Sequence, residues 1–186
     1  MDNELQKSLE TLKKGGLLLY PTDTIWGIGC DATNAHAVEK IFSLKQREET
    51  KALICLVSDF KMLQNYVEDI PEVAYDILKY ANKPTTIIYD NPIRVAENVV
   101  AEDNTLGIRV VKDKFCKQLI QKFKKPIVST SANISGEKAP QSFADIVPTI
   151  SEKVDYIVNL PLTNKKPRPS AIIKLTSDGK VSIIRK

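Results

Sequence analysis

Leu17-Leu18-Leu19-Tyr20-Pro21-Thr22-Asp23-Thr24-Ile25-Trp26-Gly27-Ile28-Gly29 is the stretch on which the reading of this chain turns. The apolar run Leu17 to Tyr20 predicts a strand, and Pro21 ends it and opens a turn. The next residues read as a hydroxyl-rich turn and a glycine pair. Glycine lets backbone approach a ligand closely, and threonine hydroxyls both donate and accept. The same residues also describe an ordinary turn in which Thr22 and Asp23 bond their local backbone. Trp26 suits a core position as well as a ligand platform.

Outward from that stretch, strands and helices alternate. Leu5, Leu9 and Leu12 recur at helical spacing, and Gly15-Gly16 supplies a stop. Asn34 is placed to cap a helix whose apolar face is Val38, Ile41 and Phe42. Leu53 to Val57 is a continuous apolar run, as in a strand buried on both faces. Asp69 with Glu72 resembles a capping box, ahead of a helical stripe of Val73, Ile77 and Tyr80. Thr85 to Tyr89 predicts a strand, and Asp90 to Asn104 a long polar loop, mobile or functional. Leu106 to Val111 predicts a strand with Gly107, Arg109 and Val111 on one face. Asp113 caps a helix carrying Phe115, Leu119 and Phe123, and Ile127 to Ser129 is the next strand. Ser142 opens a short helix, and Val154 to Val158 reads as a strand. After a basic, proline-rich loop, Asn164 to Pro169, comes a hairpin of Ala171 to Leu175 and Val181 to Ile184 across Ser177-Asp178-Gly179. The alternation predicts an α/β fold, and the hairpin a mixed sheet.

Composition narrows the class. With 186 residues, 42% of them hydrophobic and 27% charged, the chain is expected to be one soluble globular domain. The net charge of +4 is compatible with nucleotide or nucleic-acid partners without demanding them. Three scattered cysteines point away from a disulfide framework and toward a reducing compartment. The first ten residues carry acids and no apolar core of a signal peptide, and no apolar run approaches the ~20 residues of a membrane span. A cytoplasmic protein with no membrane partner is expected. The single histidine, His36, lies in a predicted helix near Ala35 and Ala37, so a Ser-His-Asp or Cys-His triad would need an improbable geometry, and one histidine is too few for a His-rich zinc site. Phosphate loops of the G-x-x-x-x-G-K-[ST] type and G-x-G-x-x-G fingerprints are absent as well.

Polar side chains gather at the predicted strand ends. Thr22 and Thr24 follow the first strand, Lys45 and Arg47 precede the second, and Ser129, Thr130, Ser131 and Asn133 follow Pro126-Ile127-Val128. If these strands share a sheet, the ends converge on a cleft suited to a polyanion. Lys45 and Arg47 diverge on a helix but point to one side of an extended segment, where they form a phosphate clamp. A solvated basic face beside Glu48 and Glu49 is the other description. Arg109 lies inside an apolar strand, where a substrate anion or a structural salt bridge must satisfy it. Ser170 and Arg185 add a hydroxyl and a cation near the C-terminal end.

The ordered set of Tyr20-Pro21-Thr22-Asp23-Thr24, Lys45-Gln46-Arg47 and Ser131-Ala132-Asn133 resembles the YrdC-type threonylcarbamoyl-AMP synthase family, over nearly the whole chain from the first helix to Arg185. The resemblance implies a single YrdC-like domain over residues 1–186, with a twisted mixed sheet and flanking helices around a basic substrate cavity. It implies a nucleotidyltransferase that joins L-threonine and bicarbonate in a carbamate. The carbamate oxygen attacks the α-phosphate of ATP, giving threonylcarbamoyl-AMP and pyrophosphate. A downstream transferase complex then passes the threonylcarbamoyl group to tRNA.

By the same resemblance, Lys45 and Arg47 hold ATP phosphates, and Thr105, Ser131, Asn133 and Arg185 line the nucleotide side. Thr22, Arg109, Ser129 and Ser170 hold threonine, with Arg109 on its carboxylate. Mg²⁺ accompanies ATP, and no protein metal set is implied. Positioning and charge neutralisation then carry the chemistry, with the carbamate as nucleophile.

The chain departs from the family pattern at Asp23 (often Glu), Trp26 (usually Tyr), Glu48 (often Pro), Ala52 (usually Pro) and Leu56 (often His). A second reading is a module on the same scaffold that binds tRNA or double-stranded RNA without catalysis. A carbamoyl-transfer domain of hydrogenase maturation lacks its zinc-finger and acylphosphatase-like companions here. A fold-related sugar-phosphate lyase lacks its metal-binding acids and His.

Overall fold

The computed structural model describes residues 1–46, 53–161 and 168–186. Helix α1 (Asp2–Lys13) leads into strands β1 (Leu18–Pro21) and β2 (Trp26–Gly29), then α2 (Ala35–Lys45), β3 (Ile54–Val57), α3 (Phe60–Leu63) and α4 (Val73–Tyr80). The chain continues through β4 (Thr85–Asp90), β5 (Thr105–Val110), α5 (Lys114–Phe123), β6 (Ile127–Ser131), α6 (Pro148–Ser151), β7 (Tyr156–Ile157), β8 (Ala171–Leu175) and β9 (Val181–Arg185). Among the described residues the strands form one mixed sheet in the order β7-β1-β2-β6-β3-β5-β4-β8-β9. The expected mixed α/β sheet with flanking helices is therefore present.

Local sequence explains where the helices begin. Asn34 Oδ1 accepts from Ala37 N at 3.2 Å and Asp113 Oδ1 from Cys116 N at 2.8 Å, each satisfying a first-turn N–H of its helix. Ser142 and Asp145 cap each other around a single 3₁₀ turn, Phe143–Asp145. One sheet face packs Leu18, Tyr20, Leu56 and Ile127 against Leu5 and Leu12 of α1 and Phe115, Leu119 and Ile120 of α5. The other face packs Leu19, Ile28, Cys55, Val57, Ile87 and Ile108 against Val38, Ile41 and Phe42 of α2 and Ala74 of α4. Two-sided burial is why the central strands read as unbroken apolar runs.

Several expectations give way. The glycine pair, where the sequence predicts no strand, lies in strand β2, held between β1 and β6. Its glycines permit tight packing: a Cβ on Gly29 would lie 2.5 Å from the Val128 carbonyl and 2.7 Å from the Tyr20 ring. The capping box at Asp69 and Glu72 does not form, because Glu72 precedes α4 without a side-chain bond. The α4 stripe also differs from its expected face. Ile77 packs against the core as expected, but Tyr80 is 73% exposed and Val73 is exposed as well, and small Ala74 is the buried residue of the helix. The segment Asp90 to Asn104 is a packed loop. It contains the 3₁₀ turn Glu97–Val99, buries Val99, and donates from Ala96 N to Ala32 O.

Candidate functional site

Strand pairing sets where the polar ends meet. Gly27 of β2 pairs with Ser131 of β6, Ser129 of β6 pairs with Ile54 of β3, and Leu56 of β3 pairs with Arg109 of β5. These neighbours open onto a cavity of about 310 Å³. Its walls include Thr22, Thr24, Arg109, Ser129, Ser131, Asn133, Ser170 and Arg185, brought together from the β1–β2 turn, β5, β6 and the β8–β9 hairpin. Seven of the site residues expected from sequence thus converge: Thr22, Arg109, Ser129, Ser131, Asn133, Ser170 and Arg185. Gly27 keeps the floor low, since a Cβ there would lie 3.2 Å from Ser129 Oγ.

Arg109 is buried, and its Nη2 stands 3.1 Å from Asp23 Oδ1. That distance makes an ion pair, but the N–H does not point along it. Arg109 Nε and Nη2 and both Asp23 oxygens remain without a hydrogen bond. Buried guanidinium donors and carboxylate acceptors left in this state are costly. On the cavity wall, the guanidinium is therefore a preset receptor for an incoming anion. Sequence leaves a substrate anion and a salt bridge as alternatives at Arg109, and the geometry accommodates both. Asp23, by contrast, reads in the sequence as a turn residue and as the acid of the first motif, with no partner assigned.

The hydroxyl ring is held in part by local bonds. Thr22 Oγ1 donates to Ile25 O at 2.7 Å and accepts from Thr24 N at 3.1 Å, the ordinary-turn description of this segment. Both threonines nevertheless line the cavity. Ser170 Oγ and Thr86 Oγ1 lie 2.8 Å apart. Asn133 Nδ2 donates to Ile134 O at 2.9 Å and Glu137 O at 2.8 Å, leaving its buried Oδ1 as an unsatisfied acceptor. Ser129 is buried on β6, with Ser131 half-buried two residues on.

Arg185 reaches the cavity through a register shift. Ile173 pairs with Ile183, but Ile172 pairs with Arg185, so Ile184 is an extra residue in the ladder. A one-residue shift changes the face a side chain takes, and Arg185 thereby joins Ile172 on the cavity side. Its Nε donates to Ser170 O at 2.9 Å. Burial, and then the nearby charge of Arg109, lower the pKa of Arg185 from its usual value. Two cations thus bias the same small space toward anions.

Two expected residues, Lys45 and Thr105, lie off the cavity wall. Lys45 is the last residue of α2 and is buried, and its ammonium donates to the Ser131 and Asn133 carbonyls. It ties α2 to the loop that carries Ser131 and Asn133, and it is not on the cavity wall. Thr105 opens β5 at the far end from Arg109, donating to Asp103 Oδ1 at 2.6 Å, also off the cavity wall. Arg47 falls outside the described residues, as does Glu48.

His36 is exposed on α2, 3.6 Å from Glu39, and does not line the cavity. Cys30, Cys55 and Cys116 are buried free thiols, and burial pushes Cys55 up to about 12. Among the described residues no three His, Cys, Asp or Glu side chains gather to hold a metal, and no helix is long and apolar enough to cross a membrane.

Comparison with known proteins agrees with this geometry. The Sua5/YciO/YrdC family profile, described as telomere recombination, matches residues 10–186. The chain is 35% identical over 181 residues to a threonylcarbamoyl-AMP synthase of Pseudoalteromonas translucida, covering 94% of each chain. Its fold superposes on P. abyssi Sua5 complexed with L-threonine with a TM-score of 0.82 at 26% identity, covering 92% of this chain and 50% of that one. It superposes on E. coli YciO with a TM-score of 0.85 at 24% identity, covering all of this chain and 90% of the other. The match over nearly the whole length, with the 35% identical relative, leads to one conclusion: the chain belongs to the Sua5/YciO/YrdC family.

Proposed function

We propose that this chain is an L-threonylcarbamoyladenylate synthase that makes threonylcarbamoyl-AMP and pyrophosphate from L-threonine, bicarbonate and ATP. The observation that carries the reading is Arg109. It is a buried guanidinium with Nε and Nη2 unsatisfied, on the wall of a cavity ringed by threonine and serine hydroxyls. Such a site suits an amino-acid carboxylate, which a fork of N–H donors binds in plane. The name of the 35% identical relative and the threonine complex of the Sua5 neighbour support the same substrate.

In this proposal Arg109 takes the threonine carboxylate, and Thr22, Ser129 and Ser170 surround the rest of the amino acid. The threonine nitrogen bonds to the carbon of bicarbonate, and water leaves. A carbamate oxygen then bonds to the α-phosphorus of ATP as the bond to the β-phosphate oxygen breaks and pyrophosphate departs. Arg185, Ser131 and Asn133 face the nucleotide. Arg47 completes the phosphate clamp with Lys45, whose ammonium would exchange a backbone carbonyl for a phosphate oxygen. The step needs alignment and charge neutralisation, without a protein nucleophile. That agrees with the three buried thiols and the distant histidine.

Mg²⁺ enters this proposal with ATP, supplying neutralisation of phosphate charge. The donors present fit a metal that keeps most of its ligands from phosphate and water: Asn133 Oδ1 is an unsatisfied oxygen acceptor, whereas Asp23 is committed to Arg109. Thr105, placed by family resemblance on the nucleotide side, would act from the far end of β5. The product would pass to a transferase that modifies tRNA.

Pyrophosphate release by the purified protein, with ATP, Mg²⁺ and bicarbonate, tests the reading. Release that requires L-threonine is expected. No release beside retained RNA binding would transfer the case to the noncatalytic RNA module, and release that ignores threonine would remove threonine from the reaction.

A further inference from the structure

We propose that the outer edge of the sheet is a docking strand, and that an acidic, apolar segment of a protein partner adds beside β9. Strand β9 ends the sheet order, and among the described residues no strand pairs with its outer side. Such an edge offers unpaired backbone groups to an incoming segment. Val181 is 46% exposed, Ile183 63% and Ile184 59%, so the edge is also the most apolar exposed strand of the sheet. Apolar residues gathered at one edge mark an interaction surface more strongly than the same residues scattered singly.

A groove of about 300 Å³ runs alongside, with Ile77, Tyr80, Ile173 and Ile183 as its apolar lining. Its ionisable side chains other than Tyr80 are all cations, Lys83, Arg185 and Lys186, with no Asp or Glu among the lining residues. Lys79, over the rings of Tyr75 and Tyr80, adds a further positive charge beside it. The acid of the β8–β9 turn, Asp178, accepts from the Thr176 hydroxyl and does not line the groove. Charge therefore selects the occupant. A second copy pairing antiparallel about Ile183, the register that stacks the apolar residues, would bring Lys180 of one strand toward Lys186 of the other, like charge on like. A segment with carboxylates beside its apolar residues meets the cations instead, covering Ile183 and Tyr80 while its backbone extends the ladder.

The groove has a functional connection. Arg185 lines both this groove and the substrate cavity, and its Nε holds the Ser170 carbonyl. Occupancy of the edge is thereby linked to a cation of the site.

Amide hydrogen exchange on the full chain at low salt tests the proposal, using a capped peptide of alternating valine and glutamate and its valine–lysine counterpart. The glutamate peptide should slow exchange in residues 181–185, and the lysine peptide should not. Ile183→Ser, at a largely exposed position that leaves the fold intact, should weaken that protection roughly tenfold. Reversing Lys83 and Lys186 together to glutamate should transfer the preference to the lysine peptide. Protection by neither peptide, or by both equally, overturns the proposal. A dimer seen by sedimentation and dissolved by Ile183→Ser overturns it in favour of a second copy. Protection by oligoadenylate that Ile183→Ser leaves unchanged overturns it in favour of nucleic acid.

Discussion

The two ends of strand β5 carry buried polar residues on the same face, and they are treated in opposite ways. Thr105, at the start, is closed: its hydroxyl donates to Asp103, and the other Asp103 oxygen accepts from Lys174 at 3.0 Å. Arg109, four residues or about 13 Å along, is open, with Nε, Nη2 and both oxygens of its partner Asp23 lacking hydrogen bonds. Both positions are buried, so burial does not separate them. Completion of the hydrogen bonds does. Ser8, Tyr89 and Asn98 also keep an open buried atom, but away from the cavity, so it is the open guanidinium on the cavity wall that a ligand can complete.

Arg109→Ala should open the widest gap between the two ends. The lost charge-assisted contact, about 1.5–3 kcal/mol, should raise the threonine concentration needed for pyrophosphate release roughly tenfold to a hundredfold. Arg109→Lys should recover only part of it, because an ammonium lacks the planar fork. Unchanged threonine dependence in both variants would remove Arg109 from the carboxylate.

Asp23→Asn probes the same open end from behind. It leaves the buried guanidinium without its countercharge, a cost of about 1–3 kcal/mol, read as a fall of several degrees in Tm. Saturating L-threonine should narrow that gap, because the ligand carboxylate replaces the missing charge. An equal gap with and without threonine would mean that Asp23 serves only to fill space.

The closed end should respond weakly. Thr105→Val removes one satisfied bond, about 1 kcal/mol or less, and should leave the threonine requirement unaltered. An ATP requirement that rises with it would place Thr105 at the nucleotide after all. Smallest is the acid response of Asp103→Asn. The Thr105 hydroxyl and then Lys174 hold the Asp103 carboxyl below its usual range. Its contribution is therefore present above the unfolded carboxylate pKa and lost as pH falls through the lowered folded value. Solvent screening at this exposed pair keeps it under about 0.5 kcal/mol. Wild type and Asp103→Asn should differ slightly at neutral pH and converge in acid. A difference that grows in acid would reverse the assignment.

Legibility in the sequence depends on the range of the interaction. Asn34 and Asp113 are readable as caps because each bonds an N–H three residues away. The central strands are legible because two-sided burial leaves unbroken apolar runs. Strand β2 is not, because Gly27 and Gly29 carry no strand signal, and only the close packing against Ser129, Tyr20 and Val128 makes glycine a requirement there. The α4 stripe misleads for a related reason. Its helical period is real, but the burial of Ala74 decides which face turns inward.

Sequence alone thus establishes the alternation of helices and strands, the two capped helices, the buried central runs and the set of polar strand ends that resembles one family. The assembled sheet settles the strand order that gathers those ends, the Asp23 charge behind Arg109, the attachment of Lys45 to the Ser131 and Asn133 carbonyls, and the shift that turns Arg185 onto the cavity. The division is physical. Periodicity and capping act within a few residues, whereas Arg109 and Asp23 lie far apart in the chain, and only the closed sheet determines which of their bonds are left for a ligand.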